Sequence, residues 1–310
     1  MKNVSDSFFL SEFQGMEPLK PLYFCIFLVL YLLIVVESAL LIGVIYSERS
    51  LHAPMYVLLC NLAVNGLYGS SALLPHMLST MLSTYEVSVW ACQTQVYAIH
   101  TYAIVEFTIL AVMSYDRYVA ICHPLTYSSV MAHRLGGLVA CMWLYPLVAF
   151  VVVLAFTIQL SYCGRSIEKL YCLNYLLVRL SCTDTGVLNV VGLVSVVVYT
   201  VPQLIMIFYS YAHILRVCVL SFRNSRFKAL RTCTPHLLSI LNYSFGCFFE
   251  IAQGRFDSSH MTYHTKMFMS LYFLICPPLL NPLIYGLGIQ VVRRRLLRCF
   301  SRKSGQVNRM

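Results

Sequence analysis

A few polar side chains stand out in a sequence that is otherwise short of them: His100, Glu106, the adjacent Asp116 and Arg117, and Arg255. Their types suit recognition. A guanidinium can take a carboxylate through two parallel hydrogen bonds, and an imidazole is a hydrogen-bonding group. A carboxylate in an apolar interior must be neutral, paired or bound to a cation. Catalysis is a poorer fit, because the sequence has no nucleophile with a spaced base, no phosphate loop and no metal-ligand cluster. No cofactor, metal or enzymatic activity is therefore expected.

The elements that must position these groups follow from composition. Of 310 residues, 59% are hydrophobic and only 11% charged, with a mean hydropathy of +0.73. A water-soluble globule could not hide that much apolar surface, so the chain reads as a polytopic membrane protein. A helical span takes about 20 mostly apolar residues, since backbone groups in lipid must pair within their own segment. Seven windows qualify: Leu22–Tyr46, Met55–Leu82, Cys92–Tyr115, Leu135–Ile158, Gly186–Leu215, Ala229–Ala252 and Met267–Leu287. Pro75, Pro146, Pro202, Pro235, Pro277, Pro278 and Pro282 fall inside them and read as kinks. The fold class is thus an all-α bundle of seven transmembrane helices: residues 1–21 form an outer N-terminus, 22–287 the membrane domain and 288–310 an inner tail.

Charge sets the orientation. With the C-terminus in the cytoplasm, Arg49, Arg117, Arg134, the Arg216–Arg231 group and the Arg293–Arg309 tail all lie inside, which is 15 of 22 basic residues. Asn3-Val4-Ser5 then becomes a lumenal glycosylation acceptor, while Asn242-Tyr243-Ser244 lies in a span and should be silent. The first residues show no short apolar core followed by a small-residue cleavage site, so no cleavable signal peptide is expected and span one is read as the insertion signal. The net charge of +10 is a matter of topology and does not indicate nucleic-acid binding. "VVRRRLLRCF" (Val291–Phe300) alternates basic and apolar residues, as a short amphipathic helix on anionic membrane lipids would, and a stop-transfer cluster would look much the same. Cys299 is either a palmitoylation site or a plain thiol.

Depth can be read along span three. From Cys92 to Asp116 is roughly 36 Å of helix, so the two mark opposite faces. His100 lies about 12 Å below the outer end and shares a stripe with Ala103, Ile104 and Phe107. It reads either as a core histidine or as a ligand anchor. Arg255 stands roughly 36 Å along span six from Arg231, at the outer rim, where it snorkels or points into the mouth, and Glu250 and Asp257 flank it. Tyr97, Tyr199, Cys247 and Ile251 complete an apolar, aromatic wall. Glu106 serves either a hydrogen bond or an ion, and Asp116 with Arg117 reads as an interfacial charge pair. Cys92, Cys163, Cys172 and Cys182 are lumenal and expected to pair, with three connectivities open.

The motifs in order resemble the vertebrate odorant receptors, a branch of the rhodopsin-like G-protein-coupled receptors. They are "LHAPMY" (Leu51–Tyr56), "MSYDRYVAICHPLTY" (Met113–Tyr127), "SYAHIL" (Ser210–Leu215), "KALRTCTPHL" (Lys228–Leu237) and "PPLLNPLIY" (Pro277–Tyr285). Two positions depart from the pattern. Ser38, next to Glu37, stands at the usual asparagine, and Gly66, next to Asn65, at the usual aspartate, a combination closer to fish receptors. The resemblance implies the disulfides Cys92–Cys172 and Cys163–Cys182. It also implies a carboxylate-holding pair, His100 and Arg255, of the class I type, and a switch formed by Asp116, Arg117, Tyr118, Tyr211, His236 and Tyr285. In that switch Arg117 is restrained at rest and freed toward the G protein, with "TCTPHL" (Thr232–Leu237) and Tyr211 opposing it.

The implied function is binding a small polar or carboxylate odorant and activating a stimulatory, olfactory-type heterotrimeric G protein to raise cAMP. The implied place is the plasma membrane of olfactory cilia. A same-family receptor for a metabolite elsewhere is the near alternative. A transporter is the distant one, since no half-repeats or midplane charge path are visible.

Overall fold

A computed structural model describes residues 6–220, 223–255, 261–288 and 293; the side chains at 223–226, 228, 254, 255 and 287 lie outside that description. The helices are α1 (Lys20–Ser47), α2 (Pro54–Met81), α3 (Val89–Cys122), α4 (Tyr127–Thr157), a short α5 (Asn174–Arg179), α6 (Gly186–Leu220), α7 (Arg223–Arg255) and α8 (Tyr263–Gly288). Each of the seven apolar windows falls on one of the long helices to within one residue, and the chain forms a seven-helix membrane bundle. All seven internal prolines are accommodated within helices, including the adjacent Pro277 and Pro278 of α8.

The helices outrun the apolar windows, most clearly at the inner ends. α3 continues seven residues past Tyr115, and α4 begins eight residues before Leu135. The apolar pattern measures the hydrocarbon core, whereas helical hydrogen bonding carries on into the interface. Asp116 and Arg117 therefore sit inside α3 and not at its end.

Six of the described helices are long and apolar enough to cross a membrane by composition; α7 is not among them. Thr232, Thr234, His236, Asn242 and Ser244 dilute its apolar residues. The polar ones are useful inside the bundle: His236, Ser239 and Asn242 are buried. Asn242 accepts a hydrogen bond from the Tyr272 hydroxyl at 2.9 Å, so the second glycosylation sequon is out of reach, as expected. Outward stripes on α1 (Leu22, Ile26, Val29, Leu33) and α6 (Val190, Val194, Val197, Val201) are exposed and apolar, as lipid contact requires.

The outer end carries structure that the apolar windows do not reveal. β1 (Ser7–Leu10) pairs antiparallel with β2 (Glu86–Ser88), with Phe8 opposite Val87, and parallel with β3 (Ser166–Ile167), with Leu10 opposite Ile167. A 3-10 helix (Ser11–Leu19) follows and leads into α1. Phe8, Leu10, Phe13 and Met16 are buried, so this N-terminal segment is packed down on the helix ends. Gly15 permits the approach, since a Cβ there would lie 2.4 Å from the Tyr263 ring. Tyr85, at the turn before β2, takes φ 61°, a left-handed conformation costly for a bulky residue. Its carbonyl accepts from Leu10 N at 3.0 Å, and its ring stacks on Phe13 at 5.5 Å.

Candidate functional site

The bundle is roofed by the segment between α4 and α6. Cys92, the fourth residue of α3, is bonded to Cys172, and Cys163 to Cys182, as the resemblance implied. The first bond closes a separation of 80 residues, which in a chain-entropy account stabilises the fold by about 4.5 kcal/mol. Gln95 of α3 reinforces it by accepting from Cys172 N at 2.9 Å. Leu170, Tyr171 and Cys172 are fully buried, so the roof is driven into the bundle.

Lys169 fastens that roof to α7. Its Nζ lies 2.8 and 2.9 Å from the two Glu250 carboxylate oxygens and 2.9 Å from Gln253 Oε1. The Tyr171 hydroxyl stands 2.9 Å from Glu250 Oε2 and 2.8 Å from the Ser270 carbonyl of α8, its one proton serving one of them at a time. Burial first, and then the facing Glu250 carboxylate, push the Tyr171 phenol up from its ordinary value, so it remains a donor. Glu250 was expected beside Arg255; the structure gives it to Lys169. The backbone of Arg255 ends α7, but its side chain lies outside the described residues, as does Asp257.

Below the roof, His100, Ala103, Ile104 and Phe107 are half-buried, while Ile99, Tyr102, Val105 and Glu106 between them are buried. The accessible stripe of α3 faces α7 and α6. Phe107 stacks on Tyr243 at 5.6 Å, the Tyr243 hydroxyl donates to the Ala103 carbonyl at 2.9 Å, and Gln203 Nε2 donates to Thr108 at 3.3 Å. His100 stacks on Phe150 of α4 at 4.8 Å, and Tyr97 donates to the Leu147 carbonyl at 2.9 Å, so both lean toward α4. The His100 Nδ1 is 2.8 Å from the Val96 carbonyl. A carbonyl can only accept, so Nδ1 carries the hydrogen, and in the neutral ring Nε2 is an acceptor. Tyr199 and Cys247 are half-buried, Tyr199 edge-on to Tyr145 at 6.0 Å. Ile251 departs from expectation at 62% exposure. It sits about 100° around α7 from Glu250, and because Glu250 and Gln253 turn inward to hold Lys169, Ile251 turns away from the wall it was assigned to.

Glu106 is fully buried at mid-bundle, with one oxygen accepting from Asn65 Nδ2 at 2.7 Å and the other from Asn281 Nδ2 at 2.8 Å. Asn65 also donates to the Tyr102 carbonyl at 3.1 Å. Through these two bonds Glu106 ties α2, α3 and α8 together. Gly66 shows why no carboxylate occupies its position, since a Cβ there already meets Pro278 at 3.3 Å.

At the inner end, Arg117 folds back on Asp116, its Nε 3.0 Å from Oδ2, and the Tyr127 hydroxyl donates to Asp116 Oδ1 at 2.8 Å. Asp116 is fully buried. Arg117 is thus held by its neighbour, which Tyr127 of α4 holds in turn, while "TCTPHL" engages α3 separately. His236 Nε2 donates to the Leu110 carbonyl at 3.0 Å, which leaves Nδ1 to accept from the Tyr211 hydroxyl. That chain of two bonds joins α6, α7 and α3. Beside it Ile214, Cys218 and Cys233 form a small buried cluster with Tyr118, Cys122 and Tyr211, separate from the main core. Tyr118 packs edge-on to Tyr209 at 5.5 Å and meets His123 Nε2 through its hydroxyl at 3.1 Å; Tyr285 is fully buried in α8.

Asn3, Cys299 and the expected helix Val291–Phe300, apart from Arg293, lie outside the described residues. Lys169, Tyr171, Tyr127 and Asn281 are the contributors that sequence reasoning missed. Asn281 and Tyr127 each lay in a quoted motif, Tyr127 eleven residues past Asp116; for Lys169 the only signal was its place three residues before a lumenal cysteine.

The sequence profile of the family described as olfactory receptor matches residues 25–303. Human olfactory receptor 52D1 is 35% identical over 300 residues, spanning 96% of this chain and 94% of that protein. Human olfactory receptor 52K2 is 32% identical over 301 residues, covering 96% of each, and human olfactory receptor 11A1 is 36% identical over 295 residues, covering 93% and 92%.

Proposed function

The chain belongs to the olfactory receptor family, and from that premise we propose that it detects a small polar or carboxylate odorant and activates a stimulatory, olfactory-type G protein to raise cAMP. Such a receptor works as a switch: ligand favours one of two arrangements because it binds that one more tightly. As a multi-pass membrane protein it would work at the plasma membrane of olfactory cilia.

The observation that supports the ligand class is the His100 tautomer. With Nδ1–H committed to Val96, the accessible nitrogen accepts. A hydroxyl or a protonated acid satisfies it directly. A carboxylate does so by bringing one proton, which gives either imidazolium with carboxylate or imidazole with acid. Arg255 is proposed as the rim cation that completes the hold. The route to the G protein is through α7, whose outer end carries Glu250 and whose inner end carries His236.

The test is a cAMP reporter cell screened with short-chain acids and their methyl esters, with His100→Phe and Arg255→Ala alongside the native chain. Acids should activate more strongly than esters, and both variants should lose the acid response at normal surface expression. An acid dose-response unchanged in both variants removes the carboxylate reading.

A further inference from the structure

The α7–α8 seam has an opening at its inner half, on the side away from the His236–Leu110 contact. A cleft of about 510 Å³ is lined by Arg231, Pro235 and Leu238 of α7 and by Leu283, Ile284 and Gly288 of α8. That volume is within the ~300–1,000 Å³ of small-ligand sites. The helices touch at its floor, where a Cβ on Gly288 would lie 2.8 Å from the Pro235 ring. Leu238 and Leu283 are exposed, so the cleft opens sideways into the bilayer and not into the bundle.

Its polarity is graded. Leu238, Leu283 and Ile284 offer only hydrocarbon. Arg231, seven residues toward the cytoplasm from Leu238, sits about 10 Å lower along α7, near the level where headgroups of the inner leaflet begin. Among the described residues Arg231 makes no ion pair, so its guanidinium is available to an anion from outside the chain. Pro235 contributes by shape, since a proline inside a helix kinks it and removes one hydrogen bond of the ladder.

We propose that this cleft is a binding site for an anionic glycerophospholipid of the inner leaflet, one acyl chain lying along Leu238, Leu283 and Ile284 and the phosphate resting on Arg231. The charge complementarity of the rim and the apolar walls choose this occupant over a sterol, which carries no anion, and over a soluble phosphate, which carries no chain. A lipid so placed contacts α7 and α8 together and strengthens their packing at the end where α7 also holds α3 through His236.

The experiment uses the full-length receptor in nanodiscs, with a phosphatidylserine probe that bears a photoreactive diazirine in one acyl chain, a phosphatidylcholine probe of the same chain, and a diazirine sterol. Cross-linked peptides are mapped by mass spectrometry. The phosphatidylserine probe should label the α7 and α8 peptides that contain Leu238, Leu283 and Ile284. Arg231→Gln should cut that labelling roughly five-fold, the worth of one basic residue near an anionic surface. Leu283→Trp, which fills the cleft, should abolish it while labelling elsewhere persists, and gel filtration would show each variant folded. Equal labelling by phosphatidylcholine, preferential labelling by the sterol, or yields unchanged in Arg231→Gln would each overturn the proposal.

Discussion

Lys169 and Glu250 form a salt bridge between the outer roof and α7 in which Nζ reaches both carboxylate oxygens, at 2.8 and 2.9 Å, with side chains only 7% and 19% exposed. A pair so enclosed is costly to break from one side, by about 3–5 kcal/mol, because the survivor is left charged and unpaired. Glu250→Gln and Lys169→Met should each lower the thermal midpoint of the purified receptor by several degrees, and the double variant should recover much of the loss. Additive losses in that cycle, read by thermal unfolding, would show that the two residues act separately.

A second prediction concerns pH. If acid binding brings a proton to the His100 pair, the response to a short acid should strengthen as pH falls, with a limiting slope of about tenfold in half-maximal concentration per pH unit. The sign follows from stoichiometry: starting from a neutral ring and an ionised acid, the complex holds one more proton than the two apart. The methyl ester should show no such slope. A flat profile for the acid, measured between mildly acidic and neutral bath solutions, would assign the charge to Arg255 alone.

A third concerns Glu106. Glu106→Leu leaves the Asn281 amide buried without this acceptor and the Asn65 amide with only the Tyr102 carbonyl, at about 1–3 kcal/mol for each partner lost, and surface expression should fall sharply. Glu106→Gln keeps one acceptor, and the other amide can turn to present its oxygen, so it should reach the surface in near-native amount. Equal loss in both variants would mean that the negative charge itself is required.

The inner end yields a fourth. Tyr127→Phe removes the hydroxyl bonded to Asp116, loosening the seat of Arg117, and should raise ligand-free cAMP up to about five-fold, the equivalent of a net hydrogen bond of about 1 kcal/mol. Arg117→Gln should silence signalling while photoaffinity labelling by odorant continues. Silent Tyr127→Phe at normal expression would show that this contact serves the active arrangement instead.

How far the sequence foretold this follows from which forces it records. The spans were legible because lipid demands about 20 apolar residues in a row, and α7 was found by its motif and window even though its inward polar residues dilute it. The disulfides came with the resemblance. The outer cap was not legible, since Phe8, Leu10, Phe13 and Met16 are buried by loops distant in sequence and no local period announces it. Ile251 was misassigned for a related reason: which side of α7 faces inward at its outer end is decided by Lys169, a residue 82 positions away.

The middle strand of the outer sheet, β1, is made first and completed late. Its partners are Glu86–Ser88 and Ser166–Ile167, so it cannot close until four helices have been threaded through the membrane behind it. Strand β2 follows two helices and β3 four, so Leu10, whose partner Ile167 lies in β3, waits longest for its cover, a window in which chaperones and quality control can engage the chain. Faults in any of the first four spans, or in the loop that carries β3, should therefore be read out at the N-terminus. Closure of β1 thereby couples the N-terminal segment to the correct insertion of α1 to α4.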